Sequence, residues 1–309
     1  MHKTAYGTRL GRIALALALA ATLAAALSCV LATNAHAATT FSKRIMYYDD
    51  SYSSSKYDIT GDKKADRLTI KSYGGDGYDY FDKVRVYVDG KRKLTLPTLY
   101  SSNAILLRIK SGRTFLFLET LGEGYRETEG IYTYKGGKLV KVLNTDIFPS
   151  CCHGDGTPYH RMAHFSDSNV SSISVSGSTV RIKFHNVNTI TGRSAVTYSF
   201  KYSDGKLRKT SSTSTSFSIN ERSSKKVTAA TSFPVYRNSN STGKVTKVKK
   251  GARVTLKAVQ IRPSDHFISV KVTSGSTTGW ITCKSFKGLT YSSLHDYTLF
   301  KETTGYLNP

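Results

Sequence analysis

The chain has 309 residues, with 45 Lys and Arg against 21 Asp and Glu, for a formal net charge of +24 at pH 7. A charge this large bears on partners and solubility, not on fold, and it points to anionic partners. Only one apolar run reaches spanning length, which excludes a multi-span helical membrane protein.

That run lies at the start. Lys3, Arg9 and Arg12 precede an uncharged, Ala/Leu-rich stretch from Ile13 to Ala32, and Thr33-Asn34-Ala35-His36-Ala37 sets small residues where a signal peptidase reads. Residues 1–37 are therefore expected to be a cleaved signal peptide with Ala38 as the new N-terminus. An uncleaved anchor and a lipid anchor on Cys29 are the alternatives. Cleavage removes three Lys and Arg and no acid, so the remaining chain carries +21. Such a chain is expected to be soluble and extracellular. The polyanions it meets there are teichoic acids, phospholipid headgroups and other wall polymers, and nucleic acid is not the expected partner. Screening over about 8–10 Å makes attraction by charge alone weak and salt-sensitive.

From residue 38 onward, short alternating apolar and polar runs are separated by Gly, Asp, Asn and Ser, the strand-and-turn pattern. Arg67 to Lys71 and Lys83 to Val88 alternate cleanly, and Asp89-Gly90 makes a hairpin turn after the second. Ala104 to Ile109 and Thr114 to Leu118 are continuously apolar, as central strands covered on both faces would be. Ile131 to Lys135 and Lys138 to Val142 form a hairpin across Gly136-Gly137. Later pairs turn at Ser176-Gly177 and at Asp204-Gly205, the latter between Ala195–Tyr202 and Lys206–Arg208. The fold class is all-β. Residues 38–210 are expected to form an antiparallel sandwich or a partial propeller-like set. Asp76 to Tyr80 and Gly122 to Tyr125 read as turns stapled by their aromatics.

Within that region, Asp58-Ile-Thr-Gly-Asp-Lys-Lys-Ala-Asp66 precedes a strand. It is similar to the Asp-rich calcium loops of secreted FG-GAP/VCBS-type β repeats. The resemblance implies calcium held by Asp58, Asp62 and Asp66, since calcium wants six or more oxygens. Thr60 and Lys63 replace the usual Asn and Gly, and two lysines oppose a cation. The alternative is a structural loop in which Asp58 and Asp66 accept local amides. One copy of the motif does not make a full propeller, which needs repeated blades.

Cys151-Cys152-His153 is followed by His160 and His164. Adjacent cysteines rarely bridge each other, because one trans peptide holds their Cα atoms only ~3.8 Å apart. With Cys283, three cysteines follow the signal, so at least one is free or bridges another chain. A bridge from Cys151 or Cys152 to Cys283 is one arrangement. A thiol-based hydrolase using Cys152, His160 and His164, or a metal site, is another. No metalloprotease His-Glu-x-x-His, Ser nucleophile elbow, phosphate loop or lysozyme-like carboxylate context occurs, which weighs against an enzyme.

Ser211 to Ser218 is Ser/Thr-rich with Phe217 its one bulky residue, and the continuation through Asn220 to Lys226 is polar and charged. Residues 211–226 are expected to bury little and act as a linker. After it come Val227 to Arg237 with Phe233-Pro-Val-Tyr236, a loop of small residues, Lys249-Lys-Gly-Ala-Arg-Val254, Ser269-Val-Lys-Val272, and Thr278-Gly279-Trp280-Ile281. In this order and spacing, residues 227–287 resemble the bacterial SH3-like domains. Gly251 permits a tight turn, and Trp280 suits the cap of a small barrel. The resemblance implies a small β barrel that binds peptidoglycan or its cross-bridge peptides, with Tyr236, Phe267 and Trp280 as ligand-binding residues. His266-Phe267 stands where the family has a Trp-Tyr pair. Each of the three aromatics has a core role as its alternative. Residues 288–309 keep several aromatics and are expected to pack back as a tail.

The leading expectation is thus an exported, non-catalytic protein whose C-terminal module holds peptidoglycan or an anionic wall polymer. A wall hydrolase or peptidase, and a purely structural envelope protein, are the alternatives.

Overall fold

The computed structural model describes residues 39–75, 80–121, 126–145, 165–188, 191–219, 225–240, 242–262, 267–282 and 299–302. Among these the regular structure is all strand, arranged in four antiparallel sheets. The signal-peptide segment, Cys151, Cys152, His160, His164 and Cys283 lie outside the described residues.

The first sheet runs β1 (Phe41–Asp49), β6 (Ser102–Arg108), β7 (Thr114–Leu121), β8 (Arg126–Lys135) and β9 (Lys138–Asn144). Its central strands β6 and β7 are buried along nearly their whole length. The reason is that both faces are covered. Ala104, Leu106, Leu116 and Leu118 point into one core, and Ile105, Leu107, Phe115 and Phe117 into another. Period-2 alternation sends successive side chains to opposite faces, so a strand with a sheet on each side must be apolar throughout.

On one face lies the sheet of β2 (Ser51–Tyr57), β3 (Asp66–Tyr73), β4 (Lys83–Val88) and β5 (Lys91–Pro97). Its inward residues Leu68, Ile70, Val84, Val86 and Val88 meet the first core. Its outward residues are polar, basic or tyrosine. On the other face lies the sheet of β10 (Phe165–Ser176), β11 (Thr179–Asn188), β12 (Gly192–Ser203) and β13 (Lys206–Lys209), with β14 (Ser216–Ile219) beside β12. Val180, Ile182, Phe184, Val196, Tyr198 and Phe200 fill the second core. The ring of Phe115 meets Tyr202 edge-on at 5.4 Å.

The hairpins close where the turn chemistry expects. Val88 pairs Lys91 and Ser203 pairs Lys206, each across two residues. Asp89, Gly90, Asp204 and Gly205 all carry positive φ. Both central positions of a type I′ turn need that conformation, and Asp-Gly supplies it at low cost.

The C-terminal segment makes a sheet of its own. Its order is β15 (Lys226–Thr228), β18 (Arg253–Arg262), β19 (Phe267–Ser274), β20 (Thr277–Ile281), β16 (Phe233–Tyr236) and β17 (Lys244–Val248). Its core residues Val235, Val254, Leu256, Val270, Val272 and Ile281 are continuous with the second core of the preceding sheets.

The join corrects the linker expectation for 211–226. Phe217 is only 2 % exposed and Ile219 4 %. In β14 they pair with Val196 and Ser194. Upstream of them, Ser214 donates its backbone N–H to the Val259 carbonyl, and the Ser214 hydroxyl accepts from the Val259 N–H. The buried Tyr198 hydroxyl also donates to the Val259 carbonyl, at 3.1 Å. Low apolar content does not stop a strand from forming when its one large side chain has a core position waiting. Beyond β20, Leu299 and Phe300 are fully buried, and Phe300 meets Phe233 edge-on at 5.7 Å.

Candidate functional site

The three aromatic residues singled out at the C-terminus fall on three neighbouring strands, β19, β20 and β16. Trp280 of β20 is paired with Tyr236 of β16 on one side and with Lys271 of β19 on the other. Directly paired residues share a face, so Lys271, Trp280 and Tyr236 form one cross-strand row. Ile281, the next residue after Trp280, points into the core, which puts the row on the opposite face. The Lys271 ammonium lies 5.9 Å from the Trp280 ring centroid, within cation–π range. Trp280 is 9 % exposed and Tyr236 is half-buried. Tyr236 is therefore the more exposed ring of the two, and Trp280 its packed neighbour. Phe267 opens β19 opposite Arg262.

The glycine of the Gly-Trp pair has a steric cause. A Cβ on Gly279 would come 2.9 Å from the Tyr236 carbonyl oxygen and 3.3 Å from the Val235 side chain. Only glycine lets β20 approach β16 closely enough to bring Trp280 beside Tyr236.

The Asp58–Asp66 loop is built from amide hydrogen bonds. Asp66 Oδ2 accepts the Ile59 N–H at 2.6 Å and the Thr60 N–H at 2.8 Å. Asp58 Oδ1 accepts the Gly61 N–H at 2.6 Å, and its Oδ2 accepts the Lys63 N–H at 3.1 Å. The Arg108 guanidinium stands 3.6 Å from Asp58 Oδ2. Asp62 is exposed and accepts the Lys64 N–H. These donors do not fit calcium. Both buried carboxylates have their lone pairs aimed at N–H groups, and a guanidinium stands where a cation's charge would be needed. Among the described residues no three His, Cys, Asp or Glu side chains converge as a metal site. Lys63 adopts φ +71°, a left-handed conformation that glycine takes at low cost and a side chain does not.

Two features were not singled out from the sequence. Glu119 and Glu129, 2 % and 6 % exposed, are directly paired across β7 and β8. Asn103, paired with Glu119 from β6, donates its side-chain amide to Glu119 Oε2 at 3.0 Å. Nothing in Phe-Leu-Phe-Leu-Glu-Thr-Leu marks the acid as buried, since a charged residue late in an apolar run reads as a strand end. The second feature is the outward face of the β2–β5 sheet. Its signal was legible as the alternate positions of Arg67-Leu-Thr-Ile-Lys-Ser-Tyr73 and Lys83-Val-Arg-Val-Tyr87.

No helix among the described residues is long and apolar enough to cross a membrane. The fold and these sites define an all-β protein of face-packed antiparallel sheets. Comparison with protein-family models, with curated proteins and with solved structures finds no match.

Proposed function

We propose that the chain is an exported, non-catalytic binding protein that holds cell-wall peptidoglycan through an SH3-like C-terminal module. The observation that carries the reading is the half-buried Tyr236, set in one row with Trp280 and Lys271 on the face away from the core. An aromatic ring backed by a rigid neighbour, with a cation nearby, suits a ligand that offers both sugar or peptide faces and carboxylates. The apolar, Ala-x-Ala-terminated start of the chain supports export, and the +21 charge supports retention at an anionic envelope.

The test is sedimentation of the full mature protein with purified walls stripped of their phosphate polymers, across a salt series. The full chain is needed because Val227, Val259 and Phe233 share their core with Phe217 and Tyr198. Wild type is expected in the pellet and Tyr236→Ala in the supernatant, with a salt dependence shallower than charge alone would give. Equal pelleting of the two proteins, or complete release of wild type by moderate salt, would sink the reading.

A further inference from the structure

The outward face of the β2–β5 sheet has one sign of charge. Alternation puts Arg67, Lys71 and Tyr73 of β3 on this side, with Leu68, Ile70 and Ser72 buried behind them. On β4 the outward residues are Lys83, Arg85 and Tyr87, with Val84, Val86 and Val88 behind. Arg92 of β5 pairs with Tyr87, and Lys71 pairs with Arg85. Serines and threonines fill much of the rest: Ser53 and Thr69 are paired, with hydroxyls 3.1 Å apart. No Asp or Glu occupies an outward position on the four strands. The nearby carboxylates lie at the sheet's ends, on Asp50, Asp82 and Asp89, and Asp89 accepts the Arg67 N–H. Among the described residues none of the five cations is in an ion pair with a carboxylate.

The two tyrosines organise these cations. Their hydroxyls are hydrogen-bonded at 3.1 Å and their rings lie 6.5 Å apart. The Arg85 guanidinium sits 4.7 Å from the Tyr73 ring centroid, and the Lys71 ammonium 5.5 Å from it. Cation–π contact holds both charges in place without neutralising them. The shared hydrogen bond lowers the Tyr87 hydroxyl and raises that of Tyr73, with Arg85 and Arg92 adding to the lowering at Tyr87.

We propose that this face binds a polyphosphodiester whose repeating units are small polyols, as in the phosphate polymers of cell walls. Outward residues on one strand are spaced ~6.8 Å apart and neighbouring strands ~4.8 Å, so a flexible chain of phosphates can cross the sheet and meet several cations at once. Such a chain needs no stacking platform. Proteins that hold single-stranded nucleic acid use open aromatic faces for bases, whereas here the Tyr73 ring already carries a guanidinium and an ammonium. The inference concerns a face separate from Tyr236, and it names a partner class for the N-terminal sheets. It stands whether or not the C-terminal reading does.

The experiment measures binding of full-length mature protein to poly(glycerol phosphate) over a salt series. The comparator is a single-stranded oligonucleotide with the same number of phosphates. The test protein is Lys71→Gln/Arg85→Gln/Arg92→Gln. The control is Arg181→Gln/Lys183→Gln/Lys201→Gln, which removes the same charge from the outward face of the β10–β14 sheet. The expected result is at least a tenfold loss for the first triple, with the slope of log affinity against log salt reduced by about 2, and little change for the second. All six positions lie on the solvent side of their strands, and unchanged thermal unfolding verifies folding. An equal loss in both triples would reduce the effect to net charge and overturn the proposal. Tighter binding of the oligonucleotide than of the polyol polymer would overturn it as well. The Tyr236 test uses walls without phosphate polymer and this one uses polymer without wall, so the two readings fail separately.

Discussion

Trp280 stands directly opposite Tyr236, and a Cβ on the preceding residue, Gly279, would lie 2.9 Å from the Tyr236 carbonyl oxygen. The aromatic row thus depends on a backbone approach that no other residue permits. Gly279→Ala should cost about 1–3 kcal/mol, because neither the backbone oxygen nor the packed Val235 can retreat freely. Chemical denaturation would measure the loss. The same variant should weaken wall sedimentation in parallel with Tyr236→Ala. Stability within about 0.5 kcal/mol of wild type would show that the strands separate easily there.

The Asp58–Asp66 loop yields a second prediction. Asp66→Ala strands the buried Ile59 N–H and the half-buried Thr60 N–H and should cost about 3 kcal/mol. Lys63→Gly relieves a left-handed side chain and should gain about 0.5–1 kcal/mol. Thermal unfolding of wild type should be the same with calcium and with chelator, since Arg108 already faces Asp58. A rise of several degrees with calcium would mean that the guanidinium moves aside and the carboxylates turn toward a metal.

The strands legible in the sequence are those whose apolar residues repeat on a clear period. Leu68-x-Ile70 and Val84-x-Val86-x-Val88 show one covered face, and Ala104 to Leu107 two. β2 escaped notice because Ser-Tyr-Ser-Ser-Ser-Lys-Tyr is an edge strand with little core to reach. β14 escaped for a different reason. Its apolar content is Phe217 and Ile219 alone, and their burial comes from β12 and the core behind it, contacts made by residues distant in the chain. At the C-terminus, the Gly-Trp pair was legible as a motif, while its cause, the approach to Tyr236, required the fold. The buried Glu119–Glu129 pair had no sequence signal, because burial of an acid is decided by what covers it.

Tyr132 gives a prediction at alkaline pH. Its ring is buried in the first core, and its hydroxyl has no hydrogen-bond partner in the protein. Burial pushes the phenol up to about 12 from 10. A folded value above the unfolded one favours the folded state fully below pH 10, and the advantage is lost as pH climbs from 10 through 12. Tyr132→Phe removes both the titration and the unsatisfied hydroxyl. It should leave stability at pH 7 equal or up to about 1 kcal/mol higher, and should flatten the decline above pH 10. A loss of more than about 1 kcal/mol at pH 7 would reveal a partner for the hydroxyl.

Glu302 gives the opposite case, at acid pH. It accepts the Thr228 N–H at 2.6 Å and the Thr228 hydroxyl at 2.7 Å, with Arg253 Nη1 3.7 Å away. Burial alone would raise its carboxyl, but the two Thr228 bonds and the Arg253 charge outweigh it and hold the group below the ordinary value of 4.5. A depressed folded value means the stabilisation is present above pH 4.5 and is lost as pH falls through the folded value. What it stabilises is local: Lys301 donates to the Thr228 carbonyl and Ala230 to the Leu299 carbonyl, which seat Leu299 and Phe300 in the core. Protection of the Lys301 and Ala230 amides against hydrogen exchange, corrected for intrinsic rates, should therefore drop on acidification below 4.5 before the protein unfolds globally. Glu302→Gln should lower that protection at pH 7 and remove its acid dependence, whereas a pH profile shared by wild type and variant would place the control in another group.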